Sequence, residues 1–303
     1  MTAQLERMIA AQSGAIAQLA ASEAAVEARA RLAGARRVWL IGTGTSLHAA
    51  ELGAAELTRK GIDARWIAAN AFDRELLRDG DAAVVITHTG HTAYARRSRA
   101  LLLEAGVPLV SITGPEVDWP EAVRTPVAEV SETYTVSYTT ALVVLAGLAG
   151  ATTASIRAVA AALEPEDDDV PMPARAMAIV GPGSWSVTAR EGALKIREGA
   201  RILCEGFDPD RLLHGGAVPY TPADTLLVLQ PDELTSGLRH AARLERMAVT
   251  TWTSTVETGS PLLDQIPMTV RLQRLALRFA RLRGQDADVA ITGAWADSEL
   301  WPD

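Results

Sequence analysis

The chain has 303 residues, 48% of them hydrophobic and 22% charged, with a formal net charge of −8. That length suits two compact units of roughly 150 residues, each with its own core, and the acidic balance argues against a nucleic-acid or anionic-membrane surface. A single cysteine, Cys204, excludes an intrachain disulfide and a Cys-rich metal cluster.

Met1 to Leu32 predicts one long amphipathic helix. It carries Glu6, Arg7, Glu23, Glu27 and Arg29 at intervals and holds no apolar run fit for a signal peptide, so a cytoplasmic protein is expected. Strands are predicted at 38–41, 64–68, 83–87, 109–112 and 125–130, with helices at 47–59, 92–104 and 135–149. Continuous apolar runs separated by helices of about 10 to 15 residues indicate a parallel sheet covered on both faces. The acidic, proline-punctuated stretch 163–173 reads as a linker and divides the chain into units 1–165 and 166–303. The second unit repeats the rhythm, with strands at 177–180, 202–205, 226–229 and 249–253 and helices at 185–199, 234–247 and 269–283. Its strand–turn–helix start, Ala178 to Ser184 followed by Ala189, Gly192 and Ala193, echoes Val38 to Ser46 followed by Ala50, Gly53 and Ala54.

Four features carry chemistry. The turn Gly42-Thr43-Gly44-Thr45-Ser46 offers close backbone approach, helix N–H groups and two hydroxyls, which suits a phosphate; a plain strand–helix turn with an N-cap accounts for it equally well. Thr87-His88-Thr89-Gly90-His91-Thr92 again follows a strand and precedes a helix. Its hydroxyls and backbone donors would hold an anion, with His88 and His91 as further donors and no third ligand to make them a metal site. Glu191, Lys195 and Glu198 share one helical face at i, i+4 and i+7. They form either a solvated salt-bridge ladder or, given Ala189, Gly192, Ala193 and Gly199 on the same helix, a buried carboxylate base beside a lysine. That lysine is one of only two in the chain, the other being Lys60. His214, in Leu212-Leu213-His214-Gly215-Gly216, is either structural or a proton-transfer group.

Together these residues resemble the sugar isomerase (SIS) family, in the tandem arrangement of the isomerase half of glucosamine-6-phosphate synthase and of related sugar-phosphate deaminases and deglycases. Glu191-Gly192-Ala193-Leu194-Lys195-Ile196-Arg197-Glu198 is similar to that group's Glu-Gly-Ala-Leu-Lys-x-x-Glu run, His214 keeps its spacing from Glu198, and Gly44-Thr45-Ser46 and Thr87 to Thr92 stand in place of its phosphate loops. The resemblance implies an α/β fold of two doubly wound parallel-sheet SIS domains. It also implies proton transfer between C1 and C2 of a sugar or amino-sugar phosphate, without cofactor or metal. Glu198 would be the base, with Lys195 and Glu191 beside it. Ser46, Thr87, Thr89 and Thr92 would hold the phosphate, and His214 would assist ring opening from the neighbouring subunit of a homodimer. The chain departs from the pattern at Thr2, in place of a glutaminase cysteine, so no glutaminase domain is expected. It departs again at Trp295, in place of an imine-forming lysine, and at Glu132 to Val136, in place of a lysine-bearing loop. Ammonia-dependent amino-sugar-phosphate synthesis and a non-catalytic sugar-phosphate-binding regulator are the alternatives.

Overall fold

In the computed structural model, which describes residues 3–163, 169–297 and 299, the N-terminal region forms two helices, α1 (Gln4–Ala20) and α2 (Ala24–Arg31), where one was expected. The break falls where the Ala21 and Ser22 N–H groups bond the carbonyls of Gln18 and Leu19, three residues back. That tightened final turn ends α1, and the Ser22 hydroxyl then accepts from the Ala24 N–H at 3.2 Å.

Five parallel strands follow, β1 (Arg37–Gly42), β2 (Ala64–Ala68), β3 (Asp81–Ile86), β4 (Leu109–Thr113) and β5 (Ala122–Arg124), in the order β2-β1-β3-β4-β5. The intervening helices are α3 (Thr45–Arg59), α4 (Ala93–Glu104), α5 (Val136–Leu148) and α6 (Thr153–Ala161). β3 and β4 are buried along their whole length, as their unbroken apolar runs require of strands covered on two faces. The strand expected at 125–130 is instead the short β5, ending at Arg124. Thr125 makes a last bond to the Thr113 carbonyl at 2.7 Å, and Pro126 then has no N–H to continue a ladder. Helix α6 was not foreseen; it starts at Thr152, whose side chain accepts from the Ser155 N–H.

The second half contains β6 (Ala176–Val180), α7 (Trp185–Ala200), β7 (Leu203–Phe207), the short α8 (Pro209–Arg211), β8 (Thr225–Leu229), α9 (Glu233–Leu244), β9 (Ala248–Trp252), the short α10 (Pro261–Asp264) and α11 (Ile266–Arg283). Its parallel sheet runs β7-β6-β8-β9, the same order as β2-β1-β3-β4. The repeat extends to backbone detail. A Cβ on Gly42 would strike the Ser46 carbonyl and one on Gly181 the Trp185 carbonyl, while Gly44 and Gly183 share a φ of 55°. Both turns therefore require glycine for the same two reasons, close backbone approach and left-handed conformation.

The two sheets do not bury separate cores on their facing sides. One continuous apolar cluster includes Leu40 and Val84 from the first half, Met177 and Leu227 from the second, and Leu145, Leu272 and Phe279 from the helices between. Each sheet keeps a private cluster only on its other face, around Trp39, Phe72 and Val85 in one and Val180, Phe207 and Val228 in the other. This corrects the expectation of two self-contained cores. Amphipathic patterning shows which faces are buried, not which element covers them. Residues 164–168 of the expected linker, and with them the 165/166 boundary, lie outside the described residues. Helices α3 and α7 meet between the halves, where Arg190 Nη2 and Glu51 Oε1 pair at 2.8 Å across a separation of 139 positions. Among the described residues no helix is long and apolar enough to cross a membrane.

Candidate active site

A cavity of about 260 Å³ opens at the carboxyl ends of β1 and β3, where open α/β sheets place their ligands. The β1–α3 turn contributes Thr43, Gly44, Thr45 and Ser46, the β3–α4 loop contributes Thr87, His88, Thr89 and Thr92, and Leu194 and Glu198 of α7 close the far wall. All seven expected phosphate-loop residues and the expected base thus face one space. Gly44 caps α3 and Thr92 caps α4 without a side-chain bond to the first turn of either helix. Helix starts of this kind attract anions through the helix dipole. In the second half Ser184 likewise caps α7 without a side-chain bond, but the counterpart of α4 differs. Asp232 caps α9 in a reciprocal capping box, and Gln230 exchanges bonds with the backbone of Ser254 at 3.2 and 2.8 Å, so its donors are already occupied.

His88 does not serve as a cation. Its Nε2 accepts the Glu129 N–H at 2.9 Å, which puts the ring proton on Nδ1, and burial pushes its pKa from 6.5 down to about 4. The expectation of a donor that charges on protonation is corrected to a neutral brace between the β3–α4 loop and the segment before α5. His91 is exposed, and its N–H bonds the Thr89 hydroxyl at 3.2 Å. A stability consequence follows. Between pH 6.5 and 4 the unfolded chain holds a proton on residue 88 that the folded chain refuses, so stability falls as pH drops through that window, by up to ~3 kcal/mol for this side chain. Urea unfolding across pH 4 to 7 checks this: His88→Gln is expected to show a shallower acid loss than the wild type.

The α7 face is buried, which decides against a solvated ladder. Glu191 is 0% exposed and Lys195 1% exposed. Lys195 Nζ lies 2.6 Å from Glu198 Oε2 and 3.6 Å from Glu191 Oε1. Burial alone would drive Lys195 toward its neutral form, but Glu191 and Glu198 outweigh it and hold the amine above the ordinary lysine range. Burial would likewise raise Glu191, yet Lys195, His48 and Thr45 prevail and keep it below the usual carboxylate value. Glu198 goes the other way. Burial pushes its pKa up against the opposition of Lys195, and its side chain is 25% exposed. One carboxylate is thus fixed as an anion while its neighbour on the same helix face is poised to exchange a proton, an arrangement suited to acid–base work.

Several neighbours of these residues were not foreseen from the sequence. His48 Nδ1 sits 2.7 Å from Glu191 Oε2, and Thr45 Oγ1 donates to Glu191 Oε1 at 3.2 Å, so α3 anchors the α7 carboxylate. Glu129 caps α5, accepting from the N–H groups of Thr135 and Ser137 at 2.8 and 3.0 Å. Tyr134, Ser137 and Tyr138 complete the cavity wall. His48, one turn into the helix after a Gly-Thr-Ser turn, was the available signal. His214 is not brought to this cavity. It lies after α8, 77% exposed at the side chain, with Nδ1 3.1 Å from Asp210 Oδ1.

Residues 31–149 match the family model for the SIS domain. No curated protein matches the sequence. Among solved structures, the chain is similar to the C-terminal domain of glucosamine-fructose-6-phosphate aminotransferase from Francisella tularensis, at 18% identity and a TM-score of 0.76 over 95% of this chain and 98% of that one. It is also similar to tagatose-6-phosphate ketose/aldose isomerase from Escherichia coli, at 16% identity and a TM-score of 0.77 over 97% of each chain. A third likeness is to glucosamine-6-phosphate deaminase from Thermotoga maritima, at 17% identity and a TM-score of 0.76 over 94% of this chain and 97% of that one. At these identities the likeness establishes the fold.

Proposed function

We propose that the chain is a tandem-SIS enzyme that binds a phosphorylated sugar in this cavity and moves a proton between its C1 and C2. The observation that carries the reading is the placement of Glu198, its pKa raised by burial, in the same cavity as two hydroxyl-rich helix starts. The Thr45–Ser46 and Thr87–Thr92 segments hold the phosphate through hydroxyl and backbone donors, without a cationic side chain. Glu198 takes the C2 proton of an aldose as a carboxylate, and the resulting enediol receives it back at C1 as the ketose forms. With an amino group at C2, the same transfer gives an imine that water converts to the ketose phosphate and ammonia. The solved structures with this fold include an isomerase, a deaminase and an aminotransferase domain by name, which supports C1/C2 chemistry without choosing among them.

In this reading residues 166–303 form a second SIS unit, supported by the matching strand order and glycine turns. The working form is a cytoplasmic homodimer in which the exposed His214 reaches a neighbouring subunit's cavity. One observation favours a second reading, a sugar-phosphate-binding regulator: His214 stands outside the cavity of its own chain. Incubation with hexose 6-phosphates and their 2-amino analogues in D2O, followed by NMR, separates the two. Deuterium entering at C1 or C2 is the expected result; ligand binding with no exchange for any sugar identifies the regulator.

A further inference from the structure

Helix α5, which contributes Ser137, Tyr138 and Ala141 to the cavity lining, is buried almost throughout, and its polar side chains are accounted for with one exception. The Ser137 hydroxyl donates to Glu129 at 2.9 Å, that of Thr139 to Gln12 at 2.7 Å, and that of Thr140 to the Val136 carbonyl at 2.6 Å. Tyr138 lines the cavity and is 1% exposed, yet among the described residues its hydroxyl has no hydrogen-bond partner. A phenylalanine would fill the same volume and avoid the cost of burying an unmatched donor.

We propose that the Tyr138 hydroxyl is a substrate contact, donating a hydrogen bond to an oxygen on the carbon skeleton of an open-chain sugar phosphate. The inference rests on the sugar-phosphate reading above and adds a determinant that distinguishes the sugar portion from the phosphate. Burial, reinforced by the charge of Glu191, holds the phenol well above its ordinary pKa, so it stays a neutral donor throughout the range in which Glu198 exchanges protons. Its electrostatic neighbours are Glu191, Arg190 and Glu51 of α7 and α3, which sets it toward the catalytic helix. The phosphate-loop hydroxyl of Thr87 is also buried without a partner and lines the same cavity. Two unmatched hydroxyls, one at the phosphate loop and one toward α7, fit a ligand carrying oxygens at both ends. The rival internal use of Tyr138 is Glu51, whose Oε2 is itself unpartnered while Oε1 is held by Arg190.

The test is calorimetric binding of two probes, inorganic phosphate and the open-chain hexitol glucitol 6-phosphate, to wild-type protein and to Tyr138→Phe, alongside thermal unfolding of both. The expected result is unchanged phosphate affinity and a midpoint no lower than that of the wild type, since the variant sheds an unmatched buried hydroxyl, with hexitol phosphate affinity reduced about 3- to 10-fold, the size of one neutral hydrogen bond. Equal affinities for both probes in the two proteins overturn the proposal, as does an equal loss for both. A lowered midpoint with unchanged binding also overturns it, because it assigns the phenol to Glu51. If wild-type protein binds neither probe, the sugar-phosphate reading itself fails, a result distinct from the loss of Tyr138 alone.

Discussion

Glu198→Gln is expected to reduce C1/C2 proton exchange by about 10²- to 10⁴-fold, the usual contribution of a positioned general base, while hexitol phosphate binding stays near the wild-type value. The amide keeps the shape of the carboxylate and retains an oxygen to accept from Lys195 Nζ, 2.6 Å from Glu198 Oε2 in the native protein. It cannot take a proton from carbon. Because Glu198 lines the cavity from α7 rather than from the hydroxyl loops, losing its charge should alter kcat far more than KM. The pH profile gives an independent reading. Burial raises the Glu198 pKa, and the base works only when ionised, so exchange in the wild type should fall on the acid side at a pH above that of an ordinary glutamate. Exchange in the variant within tenfold of wild type would remove Glu198 from the role of base and pass it to another group in the cavity.

Much of this site was legible because its key spacings are local. Glu191, Lys195 and Glu198 lie on one helix, and 3.6 residues per turn aligns them whatever the tertiary structure. The two loops were legible for the same reason, since each joins a strand to the next helix in a few residues. What could not be read depends on contacts distant in sequence. His48 meets Glu191 only because α3 crosses α7, a contact between residues 143 positions apart. The tautomer of His88 is set by a backbone N–H 41 positions away and its neutrality by burial, so a histidine expected to charge beside an anion stays uncharged. Glu129 acts as a helix cap six to eight residues ahead of the groups it binds, outside the usual capping spacing.

The fold divides along the same line. That the two sheets share a strand order and a glycine turn follows from a repeat that the sequence displays; the order itself does not. The joining of the inner faces into one core does not, because it depends on helices such as α5 and α11 covering both sheets. Close packing there rests on small residues already visible in the repeat. A Cβ on Gly53 would meet Leu145 Cδ2 at 2.9 Å, and one on Gly192 would meet Leu272 Cδ1 at 2.6 Å. The glycines signalled a tight contact without identifying the partner.

Lys195→Met is expected to destabilise the protein by about 3–5 kcal/mol, the cost of leaving a buried charge without its partner. Methionine matches the volume of the aliphatic stem, so the loss is electrostatic rather than a cavity. It falls chiefly on Glu191, which is 0% exposed and keeps only His48 and Thr45 as direct partners. The double variant Glu191→Gln/Lys195→Met removes both charges and should recover most of the deficit, since a neutral pair of similar shape needs no compensation. The pH dependence has a defined sign. In the wild type Glu191 is held below its ordinary value, so its stabilisation is present above about pH 4.5 and is lost as pH falls through the lower folded value. Lys195 is held above its ordinary value, so its stabilisation is present below about pH 10.4 and is lost as pH rises through the higher folded value. Without the ammonium, burial becomes the dominant influence on Glu191 and pushes its pKa up. The Lys195→Met deficit should therefore shrink as pH is lowered from 7 toward 5 and the carboxyl takes up a proton. Urea unfolding of wild type and both variants at pH 7 and 5 measures each quantity. A single variant within 1 kcal/mol of wild type at pH 7, or a double variant no more stable than the single, would mean that Lys195 does not neutralise Glu191 and that the paired charges on α7 are held apart by another group.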